Sequence, residues 1–397
     1  MYTLPNKLKL FAIIFMVIGA IGIVSGFLNA PANTAEVKEM LASHGDGHGN
    51  ETSHEESNGH VDEGHGEETA HAGEHEAVGH GDEEAHLEHT LHQLQNRPWS
   101  ALYIACFFFF MIALGCLAFY AIQFAAQAGW SPVLFRVMEG ITAYLVPGGI
   151  IMFVLLALSG FNLNHLFVWA DPEVVAHDKL IQGKSGWLNG TGLLIRAANF
   201  MGGWLLYRHF AVKFSRKSDN EAGTTWFKKS FRISAGFLVF FIYTESMMSW
   251  DWLMSFDPHW FSTLYGWYVF AGMMVCAITT IALVTIYLKS KGYLEVVNDS
   301  HIHDLAKFMF GFSIFWTYLW FSQFMLIWYA NIPEEVTYFV TRIEQYKLPF
   351  FGMLAMNFLF PVLLLMNSDY KRVNWFVVLT GIVILAGHYI DLFVMVM

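Results

Sequence analysis

Charge is scarce in this chain: 14% of its 397 residues are Asp, Glu, Lys or Arg, while 55% are apolar. A soluble domain carries about 25% charged residues, so a soluble globular fold is excluded. Cysteine is scarcer still. Cys106, Cys116 and Cys276 each lie in an apolar stretch and none has CxxC or CxxCH spacing. A disulfide framework, an iron-sulfur cluster and a c-type haem held by this chain are therefore unsupported. The sequence also lacks the signatures of soluble catalysis: there is no phosphate-binding glycine loop, no HExxH and no GxSxG. No catalytic residue and no metal-ligand set can be assigned, so a stand-alone enzyme is not expected. Nor is a nucleic-acid partner.

Long apolar runs are abundant. Lipid cannot hydrogen-bond a bare backbone, so crossing a hydrocarbon core of about 30 Å takes about 20 helical residues. Nine stretches meet that length: Leu8 to Leu28, Trp99 to Ala126, Phe135 to Leu158, Leu188 to Val212, Phe231 to Met254, Leu264 to Leu288, Leu305 to Ala330, Leu348 to Met366 and Val373 to Met397. The expectation is an all-α polytopic membrane protein, with lipid as an obligatory partner. The last run is still apolar at Met397, which leaves room for a tenth helix beyond it.

Basic residues set the orientation. With the N-terminus cytoplasmic, the inner segments collect fifteen Lys and Arg and the outer segments six. That asymmetry predicts that the acid-rich loops face the side opposite the cytoplasm. The first run is longer than a signal-peptide core, and Pro31 after Ala30 disfavours cleavage there, so residues 1–28 are expected to be an anchor. Residues 29–98 form a Gly/Glu/His-rich insert with eleven histidines from His44 to His92. Such a composition buries too little apolar surface to offset ordering entropy, so most of this outward-facing loop is expected to be disordered. Its histidines could buffer zinc, copper or nickel, but their irregular spacing fixes no ligand geometry. The helical membrane domain then runs over residues 99–397.

Ionisable residues inside spans carry the chemistry, because an unpaired charge in lipid costs several kcal/mol. Arg196 lies about 12 Å from the outer face, and Glu245 and His388 lie at comparable depth, at a rise of about 1.5 Å per residue. Asp391 shares a face with His388 at i+3. These groups are expected to form one paired cluster. Asp251, Asp257 and His259 lie between that cluster and the outer surface. Two readings stand: the charges neutralise one another and hold the bundle, or they relay protons outward. On the inner side, Arg136 with Glu139 and Asp304 with Lys307 have the i,i+3 spacing of interfacial ion pairs. Alternatively, Glu139, His303 and Asp304 are inner-mouth proton acceptors. Ser322 and Gln323, at mid-membrane depth, could hydrogen-bond between helices or contact a quinone headgroup. The dense aromatics from Trp316 to Phe324 read as packing or lipid-facing surface, and Pro147-Gly148-Gly149 predicts a break in the third span.

Two segments are long and unusual: SWDWLMSFDPHWFSTLYGWY, Ser249 to Tyr268, and HDLAKFMFGFSIFWTYLWFSQFMLIWYANIPEE, His303 to Glu335. Together they closely resemble the second NrfD-like, quinone-binding-type membrane subunit of bacterial alternative complex III. The likeness runs from about Trp99 to the end and omits the histidine-rich insert. It implies polysulfide-reductase-like paired four-helix bundles with peripheral helices. It further implies a non-haem subunit of a quinol:cytochrome c oxidoreductase of the respiratory chain. Electrons would pass from quinol through iron-sulfur and c-type haem subunits to cytochrome c or a terminal oxidase. Those cofactors would sit in partner chains, beside a paralogous NrfD-like subunit that is the stronger candidate for quinol oxidation. The proton-pathway residues would then be Glu139, Arg196, Glu245, Asp251, Asp257, His259, His388 and Asp391. The competing reading is an independent secondary transporter of ions or metal fed by the histidine loop. Such transporters carry matching broken helices in two repeats, and the Pro147 break has no clear counterpart in the later half.

Overall fold

A computed structural model describes residues 5–45, 75–221 and 223–397. Eight of its helices are long and apolar enough to cross a membrane, and no strand occurs among the described residues. The chain is an all-helical, multi-pass membrane protein.

It divides into two compact units. The smaller, from Thr3 to Trp99, holds helices α1 (Asn6–Leu28) and α2 (Thr34–Gly45) and the start of α3 (His75–Ala125). Within it, the Phe27 and Trp99 rings meet edge to face at 4.9 Å, and Gln95 Nε2 donates to the Pro31 carbonyl at 3.0 Å. Disorder is expected of most of residues 29–98, and helix is present at both edges of the insert. Val37, Met40 and Leu41 share one face of α2, Val37 being fully buried, and helix-forming Leu, Glu and Gln dominate residues 87–95. The centre of the insert, residues 46–74, lies outside the described residues, and with it five of the eleven histidines that could buffer metal.

The larger unit, Ser100 to Met397, is built around one central helix. The described elements continue with α4 (Phe135–Thr142), α5 (Leu145–Gly160), α6 (Pro172–His177), α7 (Lys179–Lys184), α8 (Gly190–Asn220), α9 (Thr225–Trp252), α10 (Tyr265–Ser290), α11 (Asp299–Ala330), α12 (Pro333–Glu344), α13 (Lys347–Leu354), a π-helical turn Ala355–Leu359, α14 (Phe360–Leu365) and α15 (Asn374–Val396). Helices α5, α8 and α9 pack in sequence, and α10 packs on α9, α11 and α15. Nearly every residue of α10 from Tyr268 to Ala282 is buried. Gly115 allows α3 its close approach: a Cβ there would sit 2.7 Å from the Met273 carbonyl.

Sequence and structure part at three places. The fourth expected span forms α8, whose 31 residues are long enough to span, but Arg196 and a run of basic residues after Tyr207 dilute its apolarity, so it is not among the eight. The third span breaks at Ala143 and Tyr144, between α4 and α5, one turn ahead of Pro147, which has no N–H for the Ala143 carbonyl and whose ring crowds it, although the backbone at both residues keeps helical angles. The eighth span carries the π turn, where Pro361 supplies no N–H to the carbonyl four residues back, that of Asn357.

Candidate functional site

The segment from Met247 to Tyr268 links two buried polar centres. Two bonds close α9: Ser255 Oγ donates to the Asp251 carbonyl at 2.6 Å, and Tyr103 Oη, from α3, donates to the Trp252 carbonyl at 2.8 Å. The Asp257 carboxylate then accepts the N–H groups of His259 and Trp260 at 3.2 and 3.3 Å. Asp is suited to this turn because its side chain bonds backbone two residues on, and Pro258 prevents the helix from continuing.

The first centre is Asp251. Its side chain is inaccessible to solvent and lies 2.6 Å from Arg196 Nε. Arg196 Nη2 adds a contact to the other oxygen at 3.2 Å, and Trp187 Nε1 donates to that same oxygen at 2.7 Å. Arg196 also stacks its guanidinium 4.3 Å from the Trp187 ring centroid and donates to the Trp187 carbonyl. The two-pronged geometry is the one in which a buried Arg-carboxylate pair offsets its desolvation.

The second centre is Asp391, 2% exposed. It accepts from Tyr268 Oη, from Trp316 Nε1 at 3.0 Å, and contacts His388 Nδ1 at 3.3 Å. Among the described residues, His388 Nε2 is buried without a hydrogen-bond partner, as are both amide atoms of Asn357 on the π turn. Asn357 packs on the backbone at Gly387, next to His388. Close by, Arg342 is buried, with its guanidinium 3.3 Å above the Tyr338 ring and Nε on the Val394 carbonyl at 3.2 Å.

The single cluster expected of Arg196, Glu245 and His388 is not what forms. Arg196 pairs with Asp251 and His388 with Asp391, while Glu245 is 3% exposed with Oε1 unpartnered. Depth estimates placed the three at one level but could not fix the direction each side chain takes around its helix. A carboxyl buried in a span without a cation is kept neutral by the cost of charging it. Nearer the rim, His259 Nε2 meets Asp178 Oδ2 at 2.5 Å. The N–H groups at the start of α7, with His259, hold the Asp178 carboxyl below the ordinary carboxylate range.

At the other end of the bundle, both expected i,i+3 pairs form: Arg136 with Glu139 at 2.5 Å and Lys307 with Asp304 at 2.7 Å. Arg136 also reaches Asp219, and Tyr120 Oη donates to Glu139 at 3.4 Å. Gln323 is buried and donates to Ser262 Oγ, on the connection before α10, at 3.2 Å; Ser322 is half-buried. Four residues were missed as site members: Trp187, Tyr268, Trp316 and Asn357. Trp316 was read as packing surface because an indole in an aromatic run gives no sign that its N–H meets a carboxylate. Asn357, a lone amide in an apolar span, was a signal available in the sequence.

No protein-family model matches this chain, and no curated protein matches it.

Proposed function

We propose that this chain is an integral membrane subunit of bacterial alternative complex III, arranged as paired NrfD-like bundles in the inner membrane with a periplasmic histidine-rich loop. The observation that carries the reading is convergence. The two segments that resemble the family, residues 249–268 and 303–335, each place one donor, Tyr268 and Trp316, on the same buried carboxylate, Asp391. Residues far apart in sequence that meet on one charge in a membrane interior mark a functional centre more often than a packing accident.

In this reading the chain supports quinol oxidation by its partners and conducts protons. His388, with Nδ1 toward Asp391 and Nε2 free, exchanges a proton with groups deeper in the bundle. Tyr268 and Trp316 hold the Asp391 carboxylate in place while His388 changes charge. Glu245 carries its proton as a neutral acid, Asp257 and His259 open toward the outer face, and Glu139 opens toward the inner one. Arg196 and Asp251 fix the outer ends of α8 and α9. Haem c and iron-sulfur clusters reside in the partner subunits.

The test is purification in mild detergent through a tag on this chain, with subunit identification and haem and iron spectroscopy. Stoichiometric haem c and iron-sulfur signals with quinol:acceptor activity support the proposal. A lone, colourless protein sinks it and puts the secondary-transporter reading first.

A further inference from the structure

At the outer ends of α8 and α9, a cavity of about 470 Å³ is lined by Trp187, Trp250, Trp260, Phe261, Lys184 and Asp257, among others. Its volume falls within the range of about 300–1,000 Å³ typical of small-ligand sites. Its walls are aromatic, and two of them face outward: Trp187 is 44% and Phe261 56% exposed. It lies where a candidate span ends, Thr225–Phe256, the depth at which aromatic side chains meet lipid headgroups.

Two opposite charges line this cavity without pairing. Lys184 Nζ donates to the neutral Pro258 carbonyl at 2.6 Å and lies 5.7 Å from the Phe261 ring centroid. Among the described residues no carboxylate forms an ion pair with it. Asp257 uses Oδ1 for the N–H groups of His259 and Trp260, and among the described residues Oδ2 takes no hydrogen bond. An ammonium keeps three donors and a carboxylate about four acceptor sites, so both retain capacity for a ligand. A purely anionic ligand would meet Lys184 but be repelled by Asp257; a purely cationic one faces the reverse.

We propose that this cavity binds the zwitterionic phosphoethanolamine headgroup of a membrane phospholipid. The phosphate meets Lys184, the primary ammonium donates to Asp257 Oδ2, and the acyl chains leave over Trp187 and Phe261. A phosphocholine headgroup fits less well because its quaternary nitrogen has no N–H for Asp257. A phosphoglycerol headgroup has no cation at all. The inference is independent of the complex to which the chain belongs.

Native mass spectrometry of the full chain in mild detergent, titrated with phosphatidylethanolamine, phosphatidylcholine and phosphatidylglycerol, tests it. One phosphatidylethanolamine per chain is expected, held about tenfold more tightly than the other two, as one charge-assisted hydrogen bond warrants. Asp257→Asn should abolish the preference over phosphatidylglycerol, and Lys184→Gln should weaken all three. Preference of the unaltered chain for phosphatidylglycerol, or binding unchanged in both variants, overturns the proposal. Should a variant fail to fold, photo-crosslinking of an azide-bearing phosphatidylethanolamine to the unaltered chain decides: label within residues 183–188 and 250–261 is expected, and label confined elsewhere refutes it.

Discussion

Asp251→Asn should be among the most damaging conservative changes in this protein. The carboxylate takes three short contacts, from Arg196 Nε, Arg196 Nη2 and Trp187 Nε1, in a place where its own side chain has no exposure and that of Arg196 only 17%. The amide keeps one acceptor but turns an NH2 toward a donor, and Arg196 is left as an uncompensated buried cation. Breaking a buried pair from one side costs about 3–5 kcal/mol; the partial exposure of Arg196 favours the lower end, about 3 kcal/mol. At an unfolding entropy of about 2.1 cal/mol/K per residue, the corresponding fall in melting temperature for a chain of 397 residues is about 3–4 °C, readable by tryptophan fluorescence in detergent. The two halves of the pair are not equivalent. An abandoned Asp251 can take up a proton, whereas an abandoned Arg196 cannot shed one. Arg196→Gln should therefore cost less than Asp251→Asn, and less still as pH falls. The double variant should recover part of the loss, with a coupling of about 2 kcal/mol. Effects of the two single changes that add to within about 0.5 kcal/mol, or a harmless Asp251→Asn, would refute the assignment of this pair as the tie between α8 and α9.

Three further outcomes are expected. Tyr268→Phe and Trp316→Phe each remove one donor from Asp391 and should each cost about 1–3 kcal/mol in a melt; a neutral result for both would mean that the carboxylate is not held by them. Gly115→Ala should destabilise by about 1–3 kcal/mol through the clash with the Met273 carbonyl, whereas Gly236→Ala, with nothing within 4 Å of the new methyl group, should be neutral or stabilising by up to about 1 kcal/mol; equal effects would contradict the close packing of α3 on α10. The Asp178 carboxyl titrates below its ordinary value of 3.8. Its contribution to stability is therefore complete above that value and fades as pH drops through the lowered one. Asp178→Asn should thus lower the melting temperature most at pH 6, with the difference shrinking as pH falls below 3.8, and a pH-independent difference would count against the cap and the His259 contact.

Much of this architecture was legible because lipid imposes a crude rule, about 20 apolar residues per crossing, that needs no tertiary information. Eight of the nine expected spans obey it. The exception, α8, shows its limit, since Arg196 and the basic tail spoil its average while packing keeps it helical. The short helices α6 and α7 escaped because they rest on caps, Asp171 and Asp178, rather than on periodicity, and α12, which starts at Pro333, because it is too short to cross a membrane. At the site, i,i+3 spacing correctly paired His388 with Asp391, Arg136 with Glu139 and Asp304 with Lys307, because a single helix fixes those distances. Pairings between helices, such as Arg196 with Asp251 or Tyr268 with Asp391, depend on helix rotation and register, which residue depth alone does not determine.

Proton release per electron, measured in vesicles carrying the assembled complex with Glu245→Gln, tests the central claim most directly. Glutamine matches a neutral glutamic acid in shape and hydrogen bonding, so assembly and quinol oxidation should survive. The account predicts fewer protons released per electron. An assembled, active variant with unchanged stoichiometry would contradict it and leave the buried acids as structural ties.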